Sequence, residues 1–186
     1  MSILLKRFPA HITAHTPVQA IEELKAAHGF AGADVASITI AGEERVARVN
    51  NIPAPADLMM AQYSVPFCVA LALYRDARDP LSFTDAAVRD PDIRSLASRV
   101  TITVDPGAHG ALASMVTVTL KDGRTFTRRV EHFKGTPKNP LSPDEMREKF
   151  LRTTRKYREA AMTRLYARLQ NLQNEPDLAF VSAGMA

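Results

Sequence analysis

Tryptophan is absent from the 186 residues and cysteine occurs once, at Cys68. One thiol makes neither an internal disulfide nor a zinc site, so a hydrophobic core must hold the fold, and a reducing compartment is expected. Long apolar runs are missing as well. The longest weakly polar stretch, residues 65–74 (VPFCVALALY), falls well short of the roughly 20 residues of a membrane span and reads as a buried helix. Only Ile3, Leu4 and Leu5 stand before the first charges, too few for the apolar centre of a signal peptide. A cytoplasmic protein with no membrane partner is expected.

What is present is an ordinary globular composition, 46% hydrophobic and 24% charged, with 12 Pro and 8 Gly and no low-complexity tract. At roughly 150 residues per domain this length corresponds to about one domain. Charge is unevenly spread. The net charge is +4, yet residues 121–170 carry 14 Lys and Arg against 6 Asp and Glu, leaving the remainder acidic. A basic half can attract nucleic acid, but the basic residues between 147 and 168 are spread around a helical stretch, the pattern of a solvated face. No helix-turn-helix, zinc-finger or aromatic RNA-binding signature accompanies them, so nucleic acid is not expected as a partner.

Local signals outline the elements. Thr16-Pro17-Val18-Gln19 offers a cap, a Pro at the first helical position and a capping-box Gln, and Gly29 is placed to end that helix. Residues 37–40 and 45–49 alternate polar and apolar and read as two strands around Ala41-Gly42. Residues 57–74 suit a central helix that Pro66 must kink or interrupt. Short helices are expected near residues 84–89 and 92–98. Strict alternation over 100–104, 114–120 and 124–128, with Asp122-Gly123 joining the last two, is a strong hairpin pattern. Ser142-Pro143-Asp144-Glu145 is a second capping box, opening a helix to about Tyr157, with another over residues 160–172. Strands and helices mix without a βαβ rhythm. The expected class is therefore α+β, a two-layer sandwich of a mainly antiparallel sheet with helices on one face.

Standard catalytic motifs are absent: there is no GxGxxG, Walker loop, HExxH or GxSxG. His11 and His15 are four apart, but Pro9 and Pro17 bracket them and no third ligand completes a metal site, so no metal and no cofactor are expected. Lys6, Arg7 and His11 gather three cationic or protonatable groups, which either hold a carboxylate or are plain surface charge. Tyr63 lies in an apolar helix beside Gln62, where a packed tyrosine bonded to backbone is the simpler reading. Cys68 reads as a small core residue, and the loop Lys134-Gly135-Thr136-Pro137-Lys138-Asn139-Pro140 has too many prolines to cradle phosphate.

Three stretches together resemble one family. They are Lys6-Arg7-Phe8-Pro9-Ala10-His11 with His15 and its helix; Ala61-Gln62-Tyr63-Ser64-Val65-Pro66-Phe67-Cys68-Val69-Ala70; and the loop from Lys134 to Ser142 followed by Glu145 and Lys149-Phe150. In this order they resemble the C-terminal domain of the MmgE/PrpD family, which includes 2-methylcitrate dehydratase, cis-aconitate decarboxylase and iminodisuccinate epimerase. The resemblance spans most of the chain. It implies residues 1–186 as a single C-terminal-like domain lacking the family's N-terminal all-helical domain, with an active site in the cleft between the two. Carried over by position, Lys6 would bind a substrate carboxylate, while His11 and Tyr63 would be catalytic. His15, just before a helix N-terminus, fits a structural role equally well. The implied activity is that of a metal-independent lyase or isomerase for small di- or tricarboxylates, most like 2-methylcitrate dehydratase. Expected partners are the substrate, a separate helical domain and a second copy in a homodimer. The alternative is a non-enzymatic carboxylate-binding or subunit-interaction module.

Overall fold

A computed structural model of the chain describes residues 3–105 and 112–181. It separates into two compact units, Met1–Pro140 and Leu141–Ala186.

The first unit is built on a four-stranded sheet in the order β2-β1-β3-β4, formed by β1 (Val35–Gly42), β2 (Val100–Val104), β3 (Ser114–Leu120) and β4 (Thr125–Val130). The pair β1/β3 is antiparallel with Ile40 opposite Val116, and β3/β4 is antiparallel with Val118 opposite Phe126. The expected hairpin forms, with Gly123 at φ 88° in its turn, a conformation that glycine adopts without steric cost. Only β1/β2 is parallel, Ile38 facing Val100. A parallel pair cannot be closed by a tight turn, and residues 43–99 make the crossover with a run of helices. The class is α+β with a mostly antiparallel sheet, as expected.

Alternation decides which face is covered. Ile38, Ile40, Val100, Val116, Val118 and Leu120 are buried, whereas Thr39, Thr101 and Met115 on the other face are exposed. Against the apolar face lie α1 (His15–His28) and the crossover helices, of which α4 (Val65–Tyr74) is buried on nearly every side from Val65 to Leu73. Fully burying a side chain such as Leu71 or Phe67 contributes about 1.5–3 kcal/mol, which makes α4 the centre of the core.

The predicted long helix is interrupted at the proline, as expected. It consists of α3 (Leu58–Tyr63) and α4, with Ser64 extended between them at φ −79°, ψ 112°. Asp57 caps α3, and Ser64 caps α4 by accepting from the Phe67 N–H at 3.0 Å. Residues 45–49, expected as a strand, are instead α2 (Glu44–Val49). Five alternating residues are too few to exclude a helical turn. Glu44 and Arg48 pair at i, i+4 (2.6 Å), while Val46 is buried and Val49 exposed, so the alternation is not used. The capping box expected at Thr16 and Gln19 also does not form. The helix begins at His15, the Thr16 hydroxyl donates to the Leu112 carbonyl, and Gln19 accepts from the Lys134 N–H at 2.7 Å. Long-range contacts have claimed both side chains. Gly29 ends α1 in the left-handed conformation at φ 67°. Two short helices, α5 (Asp85–Arg89) and α6 (Pro91–Ala97), are capped by Thr84 and Asp90 as their sequences suggest.

In the second unit α7 (Pro143–Thr153) opens with the complete Ser142/Glu145 capping box. With α8 (Glu159–Leu169) it encloses a small cluster around Met162, Leu165 and Phe180. Among the described residues no helix is long and apolar enough to cross a membrane.

Candidate functional site

The segment 6–11 carries no regular structure, so its geometry depends on what it is tied to. At its start, Leu5 donates its N–H to the Gly135 carbonyl at 2.9 Å. Gly135 sits at φ 108°, and a Cβ there would lie 1.9 Å from the Leu5 carbonyl oxygen, so only glycine permits this approach. At its end, the His11 N–H donates to the Gln62 carbonyl at 2.7 Å, while Gln62 Nε2 donates back to the Pro9 carbonyl at 3.0 Å. The loop is thereby pinned to the C-terminal end of α3.

His15 lies beneath this loop and is fully buried. Its Nδ1 is 3.2 Å from the His11 carbonyl, which can only accept, so Nδ1 carries a proton. Its Nε2 accepts from the Phe8 N–H at 3.4 Å. The ring packs against Phe8 and Phe133, with centroids at 5.3 and 4.8 Å. Of the two roles open to His15, the surroundings are those of a structural strut.

Lys6, His11 and Tyr63 line one cleft of about 170 Å³, together with Pro9, Ala10 and Gln62. The His11 and Tyr63 rings stack at 4.7 Å with 28° between their planes. His11 Nδ1 lies 2.9 Å from Thr13 Oγ1 and accepts from the Thr13 N–H at 3.5 Å, so a neutral ring carries its proton on Nε2. Tyr63 is exposed, and its hydroxyl has no hydrogen-bond partner among the described residues, which differs from the packed, backbone-bonded tyrosine of the simpler reading. Lys6 is exposed and forms no ion pair there either. Arg7 turns elsewhere. Its guanidinium faces Glu22 at 3.7 Å, and Arg78 reaches the same carboxylate at 3.2 Å. Burial raises the Glu22 pKa, against the lowering effect of Arg78 and Arg7. The cationic trio of the sequence thus divides into Lys6 and His11 at the cleft and Arg7 in a separate ion cluster.

The cleft therefore holds donors for anionic oxygen and a ring able to move a proton. Cys68 takes no part. It is buried, donates its thiol to the Ala61 carbonyl at 3.4 Å, and burial pushes its pKa well up. No group of three or more His, Cys, Asp or Glu side chains suited to a metal occurs among the described residues.

Several residues that shape the cleft carry no mark in the sequence. Asn50 is buried, donates from Nδ2 to the Tyr63 carbonyl at 3.0 Å, and accepts through its backbone carbonyl from the Val65 N–H at 2.9 Å. It holds the α3–α4 break that aims Tyr63. The loop 134–140 supports the cleft segment through the bond from the Leu5 N–H to the Gly135 carbonyl. For Gln62 the one available signal was its place beside Tyr63.

Comparison with known proteins gives a consistent answer. The chain is 30% identical over 155 residues to cis-aconitate decarboxylase of Homo sapiens and 28% identical over 156 residues to that of Mus musculus, covering 80% of this chain in each case. It is 33% identical over 138 residues, 66% of the chain, to 2-methylcitrate dehydratase of Cupriavidus necator. It spans 32% of the length of each decarboxylase and 28% of the dehydratase. Residues 8–172 match the MmgE/PrpD C-terminal domain, a span that takes in His11 and Tyr63 and begins just after Lys6. The chain belongs to the MmgE/PrpD family.

Proposed function

We propose that this chain supplies one wall of the active site of a lyase acting on small di- or tricarboxylates, with a 2-methylcitrate dehydratase-like reaction as our leading assignment. The observation that carries the reading is the meeting of Lys6, His11 and Tyr63 in one cleft, from segments far apart in the chain. Names of the relatives support the substrate class, since the dehydratase and the decarboxylases both act on such acids.

The chemistry follows from the groups. Removing a proton beside a carboxylate builds negative charge on the substrate, and pre-positioned cations and hydroxyl donors lower its energy. Lys6 anchors one carboxylate as a point charge. His11, oriented by Thr13, binds a second carboxylate or passes a proton through Nε2. Tyr63 donates a hydrogen bond to the charge that develops as the proton leaves and the hydroxyl departs as water; in a reaction that loses CO2 instead, it protonates the resulting carbanion. The complementary acid–base groups belong to a helical partner domain on the opposite wall.

The test is a spectrophotometric assay for gain or loss of a conjugated C=C with 2-methylcitrate, citrate and cis-aconitate, on the chain alone and mixed with a helical domain of the family. Turnover in the mixture that disappears with Lys6→Ala or Tyr63→Phe supports the assignment. Binding without turnover in the mixture favours the second reading, a carboxylate-binding or subunit-interaction module. That reading draws on Leu5, Met59 and Met60, apolar side chains exposed on the same segments as the cleft residues.

A further inference from the structure

The cleft contains one group that a carboxylate cannot satisfy. The Gln62 amide is oriented without ambiguity, because the atom 3.0 Å from the Pro9 carbonyl must be the NH2 nitrogen. A flipped amide would set two acceptor oxygens against each other. The backbone of Gln62 is held as well, since its carbonyl accepts from His11 at 2.7 Å. The side chain is therefore anchored at both ends, and its Oε1 is left without a hydrogen-bond partner among the described residues while the residue lines the cleft.

Oε1 only accepts. Lys6 and Tyr63 offer donors to anionic oxygen, as does the Nε2 proton of neutral His11, but a carboxylate oxygen brought against Oε1 would oppose one acceptor with another. The group that fits is a hydroxyl, which gives its proton to Oε1 and keeps lone pairs for Lys6 or Tyr63. An unsaturated polycarboxylate without a hydroxyl carries no such donor at neutral pH. We propose that Gln62 is a specificity-determining residue of this cleft, selecting hydroxylated polycarboxylates over analogues that lack the hydroxyl. This rests on the reading of the cleft as the substrate site and makes the hydroxy acid the preferred ligand on this wall, the one that dehydration would consume.

Citrate and propane-1,2,3-tricarboxylate differ only by that hydroxyl and serve as probes. Each is titrated into the isotope-labelled full chain at low salt, following the amide signals of residues 6–11 and 61–64 by NMR. The wild type should bind citrate about fivefold more tightly, the usual net effect of one neutral hydrogen bond. Gln62→Lys keeps a donor for Pro9 but has no acceptor, and Gln62→Met keeps the length with neither. In both, the ratio should fall to near one, whereas Lys6→Ala should weaken both acids and leave the ratio intact. Equal wild-type affinities, or a preference that survives both Gln62 variants, would overturn the role of Gln62 while leaving the cleft as a carboxylate site. Failure of both acids to shift any of these signals would overturn the substrate-site reading and this inference together.

Discussion

Replacing His15 by Phe tests whether the strut beneath the cleft acts through its hydrogen bonds or through its bulk. The ring is fully buried, donates from Nδ1 to the His11 carbonyl at 3.2 Å and accepts at Nε2 from the Phe8 N–H at 3.4 Å. Phenylalanine keeps the packing against Phe8 and Phe133 but strands the Phe8 N–H and takes from the His11 carbonyl one of its two donors, leaving it the Ala14 N–H at 3.0 Å. A buried unsatisfied group costs about 1–3 kcal/mol and a lost hydrogen bond about 0.5–1.5 kcal/mol; the long Phe8 bond belongs at the lower end of the first range, giving roughly 2 kcal/mol in all. His15→Ala loses the ring as well, and by comparison with other aromatic truncations should cost about 3–5 kcal/mol. With no tryptophan to report unfolding, urea denaturation is followed by far-ultraviolet circular dichroism. At a slope near 2 kcal/mol per molar, the midpoint of His15→Phe should fall by roughly 1 M. Because the lost Nδ1–H bond ended on the His11 carbonyl, the His11 backbone shifts should move as well. A His15→Phe variant as stable as the wild type would refute the reasoning. Unchanged stability with lost citrate binding would make His15 a ligand-contacting residue instead of a strut.

Other consequences of the geometry are equally open to measurement. Gly135→Ala places a methyl group on the Leu5 carbonyl at φ 108°, so it should destabilise the unit by at least roughly 1–3 kcal/mol and displace Lys6, read as a loss of citrate-induced shifts at residues 6–11. Ser64→Ala removes the α4 cap and strands the Ile52 carbonyl, to which the hydroxyl donates at 2.5 Å; a loss of about 2–4 kcal/mol is expected in the same urea experiment. Cys68 should resist a disulfide reagent in the native protein at neutral pH and react on unfolding, since burial both shields the thiol and raises its pKa. Glu22 binds its proton more tightly folded than unfolded, so wild-type stability relative to Glu22→Gln should fall as pH rises from about 4.5 through the raised folded value, then level off. A rising difference across that window would reverse the sign of the argument.

Elements declared by short-range chemistry were legible, and those decided by distant contacts were not. Ser142 with Glu145 and the extended break at Ser64 before Pro66 act within a turn of themselves, and each appears where its residues imply. Thr16 and Gln19 carry the same kind of signal, yet the structure spends them on Leu112 and Lys134, partners far along the chain that no local pattern could weigh. Residues 45–49 form a helix for another reason: five alternating positions do not distinguish the periods of strand and helix, and the Glu44–Arg48 pair at i, i+4 favours the helix. The candidate site divides along the same line. Lys6, His11 and Tyr63 are chemical groups and could be named from resemblance, but the cleft exists because Gly135 admits Leu5, Gln62 clips residues 9–11 and Asn50 fixes the α3–α4 break. Those three read as an ordinary loop glycine and two ordinary amides, since nothing local reveals a φ of 108° or a carbonyl partner 53 residues away. It follows that substitutions at the cleft residues should alter binding with little loss of stability, whereas substitutions at Gly135 and Asn50 should alter both together.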